Sequence, residues 1–233
     1  MTTQNTGSRE DWLVARKALL DREKALSREH DALARARREL PWVRVETDYV
    51  FETENGAASL GALFGGHRQL IVQHFMLGPD WEQGCVSCSF WADNFNGTIA
   101  HLNARNIAFK VVSRAPLAKI LPFKQRMGWS FDWVSSHGCS FNEDFNVSFG
   151  PGHKAEDKVF YNFHETNFPA DEAPGASVFA KDGDGAVYHT YSTYGRGLDV
   201  LNGAYAYMDL APFGRDEAGE GHKMGWLRHH DSY

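Results

Sequence analysis

The chain has 233 residues, 42% of them hydrophobic and 13% aromatic, with a formal net charge of −6. That is enough for one good-sized core, and an acidic balance without a long Lys/Arg run excludes a general phosphate-binding surface, so no nucleic-acid partner is expected. No stretch approaches the roughly 18 apolar residues of a membrane span, the first residues lack a signal peptide's basic start and apolar core, and three cysteines cannot all pair; a cytoplasmic protein without structural disulfides is the expectation.

Residues 8–41 read as an N-terminal helical extension. Ser8 with Asp11 three residues on suits a cap, Glu10 and Asp11 complement the positive end of the dipole, Arg35, Arg37 and Arg38 complement the negative end, and Pro41 stops the helix. Trp12, Leu19, Leu26, Leu33 and Leu40 recur every seven residues. Such a seam either lies across its own domain or packs on a second copy, which leaves a homodimer through this helix open.

Residues 42–213 read as the main domain, with strands and helices in alternation. "VETDYVFET" is a predicted strand, Asn55-Gly56 its turn, and Ser59 the cap of a short helix ending at Gly65-Gly66. "RQLIVQHFML" is an apolar run of strand length, of the kind buried on both faces of a central sheet. A helix over about 85–105, a strand "IAFKVVS", a helix opened by Pro116 and a short strand near "FDWVSS" follow, and this alternation implies parallel pairing. Residues 140–174, with weak periodicity and several prolines, read as an irregular insertion. "ASVFAKDGDGAVYHTYS" is a hairpin turning on Asp182–Gly185, "GLDVLNGAYAYMDL" a last helix weakened by Gly203, and 214–233 a solvated C-terminal tail.

The chemistry concentrates in "GPDWEQGCVSCSFW". Placed where a buried strand hands over to a helix, Cys85 meets free N–H groups and the positive end of the dipole, which stabilise a thiolate; Cys88 lies one turn on along the same face, within reach of a disulfide. Cys85 is then the attacking thiolate and Cys88 the resolving thiol. Two other readings stay open. The pair is two inert buried thiols, or part of a zinc site, for which Cys139 and His137 offer no second well-spaced pair; no metal is assigned.

"GCVSCSFWADNFNG", "VVSRAPLAKILPFKQRMGW", "WVSSHGCSFNEDF" and "YHTYSTYGRGLDVLNGAYAYMDLAPFGR" resemble a bacterial thioredoxin-like family of unknown function, sometimes described as predicted dithiol-disulfide isomerases, over about residues 10–233. The resemblance implies an α/β thioredoxin-like three-layer sandwich around a mixed central sheet, no cofactor, and thiol-disulfide oxidoreductase activity on a protein or small-molecule disulfide. Cys85 and Cys88 match the two active cysteines, with Val86-Ser87 in place of Gly-Pro between them and Gly84 where thioredoxin has Trp. His74 falls where thioredoxins carry a buried acid, either as a proton relay for Cys88 or as a core histidine. Gly175, after Pro174, falls at the place of the cis-proline, so Gly175 and Ala176, together with Trp81, are expected to face substrate. The loop from Phe75 to Cys85 is closer in length to that of peroxiredoxins, which makes a thiol peroxidase the enzymatic alternative, although Glu82 stands where their hydroxyl residue would be. A non-catalytic binding module on the same fold is the alternative from another class.

Other residues carry weaker signals. Arg114 and Arg126 either stabilise the Cys85 thiolate or form structural ion pairs, with ion pairs favoured. His189, Tyr191, Tyr194 and Arg196 line a pocket or pack across strands, Cys139 is a spare thiol unless the fold brings it to the dithiol, and His229, His230 and Asp231 read as tail residues, not a metal site.

Overall fold

The Ser8 hydroxyl accepts from the Asp11 N–H at 3.1 Å while the Asp11 carboxylate accepts from the Ser8 N–H at 3.1 Å, a reciprocal box that opens α1 (Arg9–Arg38). None of the thirty residues of α1 is buried, and Trp12, Leu19, Leu26 and Leu33 of the heptad seam stay about half exposed. The computed structural model describes residues 5–150, 152–218, 221 and 223–233, and the chain divides into two units between Pro41 and Trp42.

The second unit is built on an eight-stranded sheet. Its strands are β1 (Val43–Arg44), β2 (Val50–Thr53), β3 (Gly56–Ser59), β4 (Gln69–His74), β5 (Ile107–Ser113), β6 (Trp133–Ser135), β9 (Gly175–Lys181) and β10 (Val187–Tyr194). They are ordered β1-β10-β9-β4-β5-β6-β2-β3, with β7 (Lys158–Tyr161) and β8 (His164–Asn167) forming a separate hairpin. β4, β5 and β6 run parallel, as the strand–helix alternation requires, whereas β9 pairs antiparallel with β4 and β10 antiparallel with β9.

Alternation along β4 sorts its side chains into two layers. Leu70, Val72 and His74 face a core made with Leu63, Phe64, Phe141 and Phe145, from a short 3-10 turn and from α5 (Phe141–Asp144). Ile71 and Phe75 face the opposite core, where α2 (Val86–Phe95) contributes Trp91, Ala92 and Phe95 and α4 (Leu117–Arg126) contributes Ile120 and Phe123. Helices on one face and short elements on the other make the three layers of a thioredoxin-like sandwich. One buried polar chain runs through it: the Trp133 indole donates to Ser113 Oγ at 3.0 Å, and that hydroxyl donates to the Phe75 carbonyl at 2.7 Å.

Several expected elements come out differently. The single helix expected over 85–105 is two, α2 and α3 (Ile99–Ala104), broken where Asn96 turns its side-chain oxygen to the Ser130 N–H at 2.9 Å and Thr98 bonds back to the Phe95 carbonyl at 2.9 Å. The last helix shortens to α6 (Gly203–Leu210), because Asn202 caps it by accepting from the Tyr205 N–H at 3.1 Å. The insertion is ordered by α5 and the β7–β8 hairpin. Nor is the tail simply solvated: His229 is buried and donates from Nε2 to the Gly84 carbonyl at 3.0 Å, while Asp231 is held by Arg126 at 2.8 Å. No helix among the described residues is long and apolar enough to cross a membrane.

Candidate active site

The strand β4 ends at His74, and the loop that follows is pinned at both ends. Phe75 N–H bonds the Val112 carbonyl at 2.9 Å, and Cys85 N–H bonds the Met76 carbonyl at 3.0 Å, so Cys85 is delivered back to the mouth of β4 as the residue that starts α2. Gly84 is required for this return: a Cβ there would lie 2.5 Å from Phe123 and 2.7 Å from Phe75. The same packing explains why no Trp stands before the dithiol.

No side chain closes a conventional cap on α2. Instead the Cys85 sulfur sits beside the Cys88 thiol, the N–H groups of Cys88 and Ser87 and the Ser87 hydroxyl, all of which favour its anion. These donors outweigh burial and lower Cys85 to about 6, led by the Cys88 thiol. Cys88 moves the opposite way, raised well above an ordinary thiol because its S–H is favoured beside the Cys85 anion, by burial and by the adjacent negative charge, although the Met76 N–H donates to its sulfur at 3.5 Å. Cys85 remains partly exposed and Cys88 is 5% exposed. Position in the fold thus separates one ionised, reachable sulfur from one protonated, sheltered sulfur.

Beside the pair lies a cavity of about 360 Å³, lined by Cys85, Cys88, Met76, Trp91, Leu198 and Met224, with Phe168, Pro169 and Ala170 from the segment after β8 and Pro174 just before β9. A phenol fastens two of its walls: the Tyr161 hydroxyl donates to the Pro174 carbonyl at 2.8 Å and accepts from the Gly195 N–H at 2.9 Å. Burial raises this phenol, so it stays protonated and keeps both bonds.

The other residues singled out by sequence are spread around this corner. His74 is a correction. Strand alternation turns it to the far layer, where Nε2 meets Ser177 Oγ at 2.9 Å and the ring stacks 6.0 Å from Phe145; burial lowers it to about 3, so it is neutral and not brought to Cys88. Gly175 pairs with His74 in the ladder, and its hydrogen is fixed by the Tyr194 ring, which a Cβ would meet at 2.7 Å. Ala176 is buried in the core, and Trp81 donates to Asp171 at 3.0 Å; neither lines the cavity, so the substrate-facing place expected for these three is taken by Pro174 and the Phe168–Ala170 segment.

Arg114 bonds Glu172 at 2.6 Å and lies 3.5 Å from Asp171, and it is not among the groups that lower Cys85. Glu172 is 1% exposed, and burial raises it to about 7 against the pull of Arg114. Arg126 is likewise engaged, by Asp231. Cys139 packs with the far layer, and its thiol points at the Ser136 carbonyl 3.6 Å away. Among the described residues no cluster of three metal-ligating side chains forms. Tyr161 and His229 escaped sequence reasoning because their partners lie far along the chain.

A parallel β4–α2–β5 unit flanked by the antiparallel β9–β10 pair, with a Cys-x-x-Cys starting the helix after β4, defines a thioredoxin-like fold with a dithiol corner. The chain belongs to a bacterial protein family of unknown function, DUF899, whose model matches residues 1–233. No curated protein matches. Similar solved structures are peroxiredoxins. A mutant of Xanthomonas campestris peroxiredoxin Q is 12% identical, covering 72% of this chain and 99% of its own, with a TM-score of 0.48. Peroxidoxin BcpB from Mycobacterium tuberculosis is 12% identical over 70% of this chain and 93% of its own, at 0.45. The mitochondrial 2-Cys peroxiredoxin from Plasmodium falciparum is 15% identical over 76% of this chain and 96% of its own, at 0.42. The chemistry of the dithiol therefore rests on this chain's own residues.

Proposed function

We propose that the protein is a thiol-disulfide oxidoreductase working through Cys85 and Cys88. The observation that supports this most is the asymmetric pair itself, a partly exposed sulfur at the start of a helix with its buried partner thiol, both on the wall of a largely apolar cavity. The Cys85 thiolate attacks one sulfur of a substrate disulfide, forming a mixed disulfide and expelling the other half as a thiolate, which takes the proton of Cys88. The Cys88 thiolate then attacks Cys85, expelling the second half. Two electrons pass from the dithiol to the substrate, and an external dithiol restores the pair.

The test uses prereduced protein and a model disulfide. The parent is expected to form the Cys85–Cys88 disulfide in one turnover, Cys88→Ser to stop at the mixed disulfide, and Cys85→Ser to do neither. Reduction by Cys85→Ser at the parent's rate would remove this reading. A peroxide as oxidant is the second reading, favoured by the Ser87 hydroxyl, which lies beside the same sulfur and supplies the kind of group that Glu82 does not. Consumption of hydrogen peroxide that survives Cys88→Ser with added thiol would promote it.

A further inference from the structure

Gln73 lies in β4 on the face shared by Ile71 and Phe75, toward the dithiol layer, and it lines the cavity beside Cys85 and Cys88. It is 5% exposed, its backbone is held in the ladder against Ala176 and Val111, and among the described residues its side-chain amide makes no hydrogen bond and is not one of the polar groups sealed away from water, so its polar end is open to the cavity. An amide that the protein leaves unpaired at a cavity wall is free to bond what enters the cavity. Much of the remaining wall, from Met76, Trp91, Pro174, Leu198 and Met224, is apolar, and its other polar side chains are engaged elsewhere, Ser87 beside the Cys85 sulfur and Arg196 with Asp199.

Charge narrows what the cavity accepts. Its Arg196 and Asp199 pair with each other at 3.2 Å, and the Arg196 side chain is 81% exposed, so the interior offers no free cation, and the one charge facing it is the negative Cys85 sulfur. A carboxylate placed inside would lose its hydration without a counter-ion, whereas a neutral group carrying both a donor and an acceptor would satisfy both ends of the Gln73 amide. The volume of about 360 Å³ suits a small molecule, with the aliphatic part of the ligand against the apolar wall.

We propose that this cavity is the substrate pocket of the dithiol and that Gln73 determines its specificity, selecting a low-molecular-weight disulfide whose aliphatic arms end in neutral carboxamides. The proposal rests on the redox reading of Cys85 and Cys88 and adds the substrate class. The electron balance is the one given above, with the small disulfide as oxidant.

Prereduced protein is mixed with dithiodipropionamide, with its dimethyl ester analogue and with the corresponding diacid, and formation of the Cys85–Cys88 disulfide is followed over a range of concentrations. The parent is expected to favour the diamide over ester and acid by on the order of tenfold in half-saturating concentration. Gln73→Leu and the near-isosteric Gln73→Met are expected to erase that preference, the half-saturating concentration of the diamide rising to that of the ester, with the reaction of Cys85 with methyl methanethiosulfonate followed to show that the dithiol is intact. A parent that does not discriminate, or variants that keep the preference, would overturn the substrate assignment while leaving the dithiol chemistry in place. Failure of Cys85 to react with methyl methanethiosulfonate or any of the three disulfides would overturn both.

Discussion

The thirty-residue α1 and the ten-residue α2 hold their shape by opposite means. α1 buries none of its residues and carries every local signal, a reciprocal capping box, acids in its first turn and arginines in its last. α2 has no conventional cap and no acid in its first turn, yet five of its ten residues are buried and its first N–H groups lie beside a sulfur whose anion they favour. The helix that is easiest to read in sequence holds itself by local means, and the one that packing must hold is left with unsatisfied donors. Those donors are what an anionic nucleophile uses.

Substitutions around the α2 corner should therefore act through tertiary contacts, and the largest should come from Arg114. Arg114→Met leaves Glu172 buried without its cation and is expected to cost about 3 kcal/mol in chemical denaturation at pH 8. Glu172 is raised in the fold to about 7, so what it contributes is present below its ordinary range and is lost as pH rises through 7; the deficit of the variant is therefore expected to shrink at pH 5, where a proton replaces the arginine. An equal deficit at both values would contradict the buried charge.

Next in size is Gly84→Ala. The added methyl meets Phe123 and Phe75 and is expected to cost about 2 kcal/mol, with Cys85 displaced from its place at the helix start and slowed in alkylation. Unchanged stability and reactivity would show that the corner has slack. Cys88→Ala removes the leading donor to Cys85 and is expected to slow alkylation of Cys85 at pH 7 on the order of tenfold, as its half-ionisation climbs toward the ordinary value of about 8.5. The smallest effect belongs to the other helix. Ser8→Ala should fray α1 by about 1 kcal/mol, visible as lost helical signal, with the Cys85 alkylation rate as in the parent.

The same contrast decides what the sequence made legible. The caps of α1, the apolar run of β4, the β9–β10 hairpin and the Cys-x-x-Cys at a strand–helix junction are all written in neighbouring residues. The break between α2 and α3 was not, because Asn96 is turned by Ser130, thirty-four positions away. The face of His74 was decidable: counting back in twos from Phe75 puts Gln73 with the dithiol and His74 against Phe141 and Phe145. The Tyr161 bridge and the His229 contact with Gly84 left no such trace, since each joins segments whose order in space only the closed fold sets.

The most direct test of the account follows the alkylation rate of Cys85 against pH in the reduced native protein, with the modified residue mapped by mass spectrometry. A sulfur held as an anion by Cys88 and the start of α2 predicts a half-maximal rate near pH 6, with Cys88 unmodified until well above the ordinary thiol range. A midpoint near 8.5, or equal reactivity of the two thiols, would contradict it.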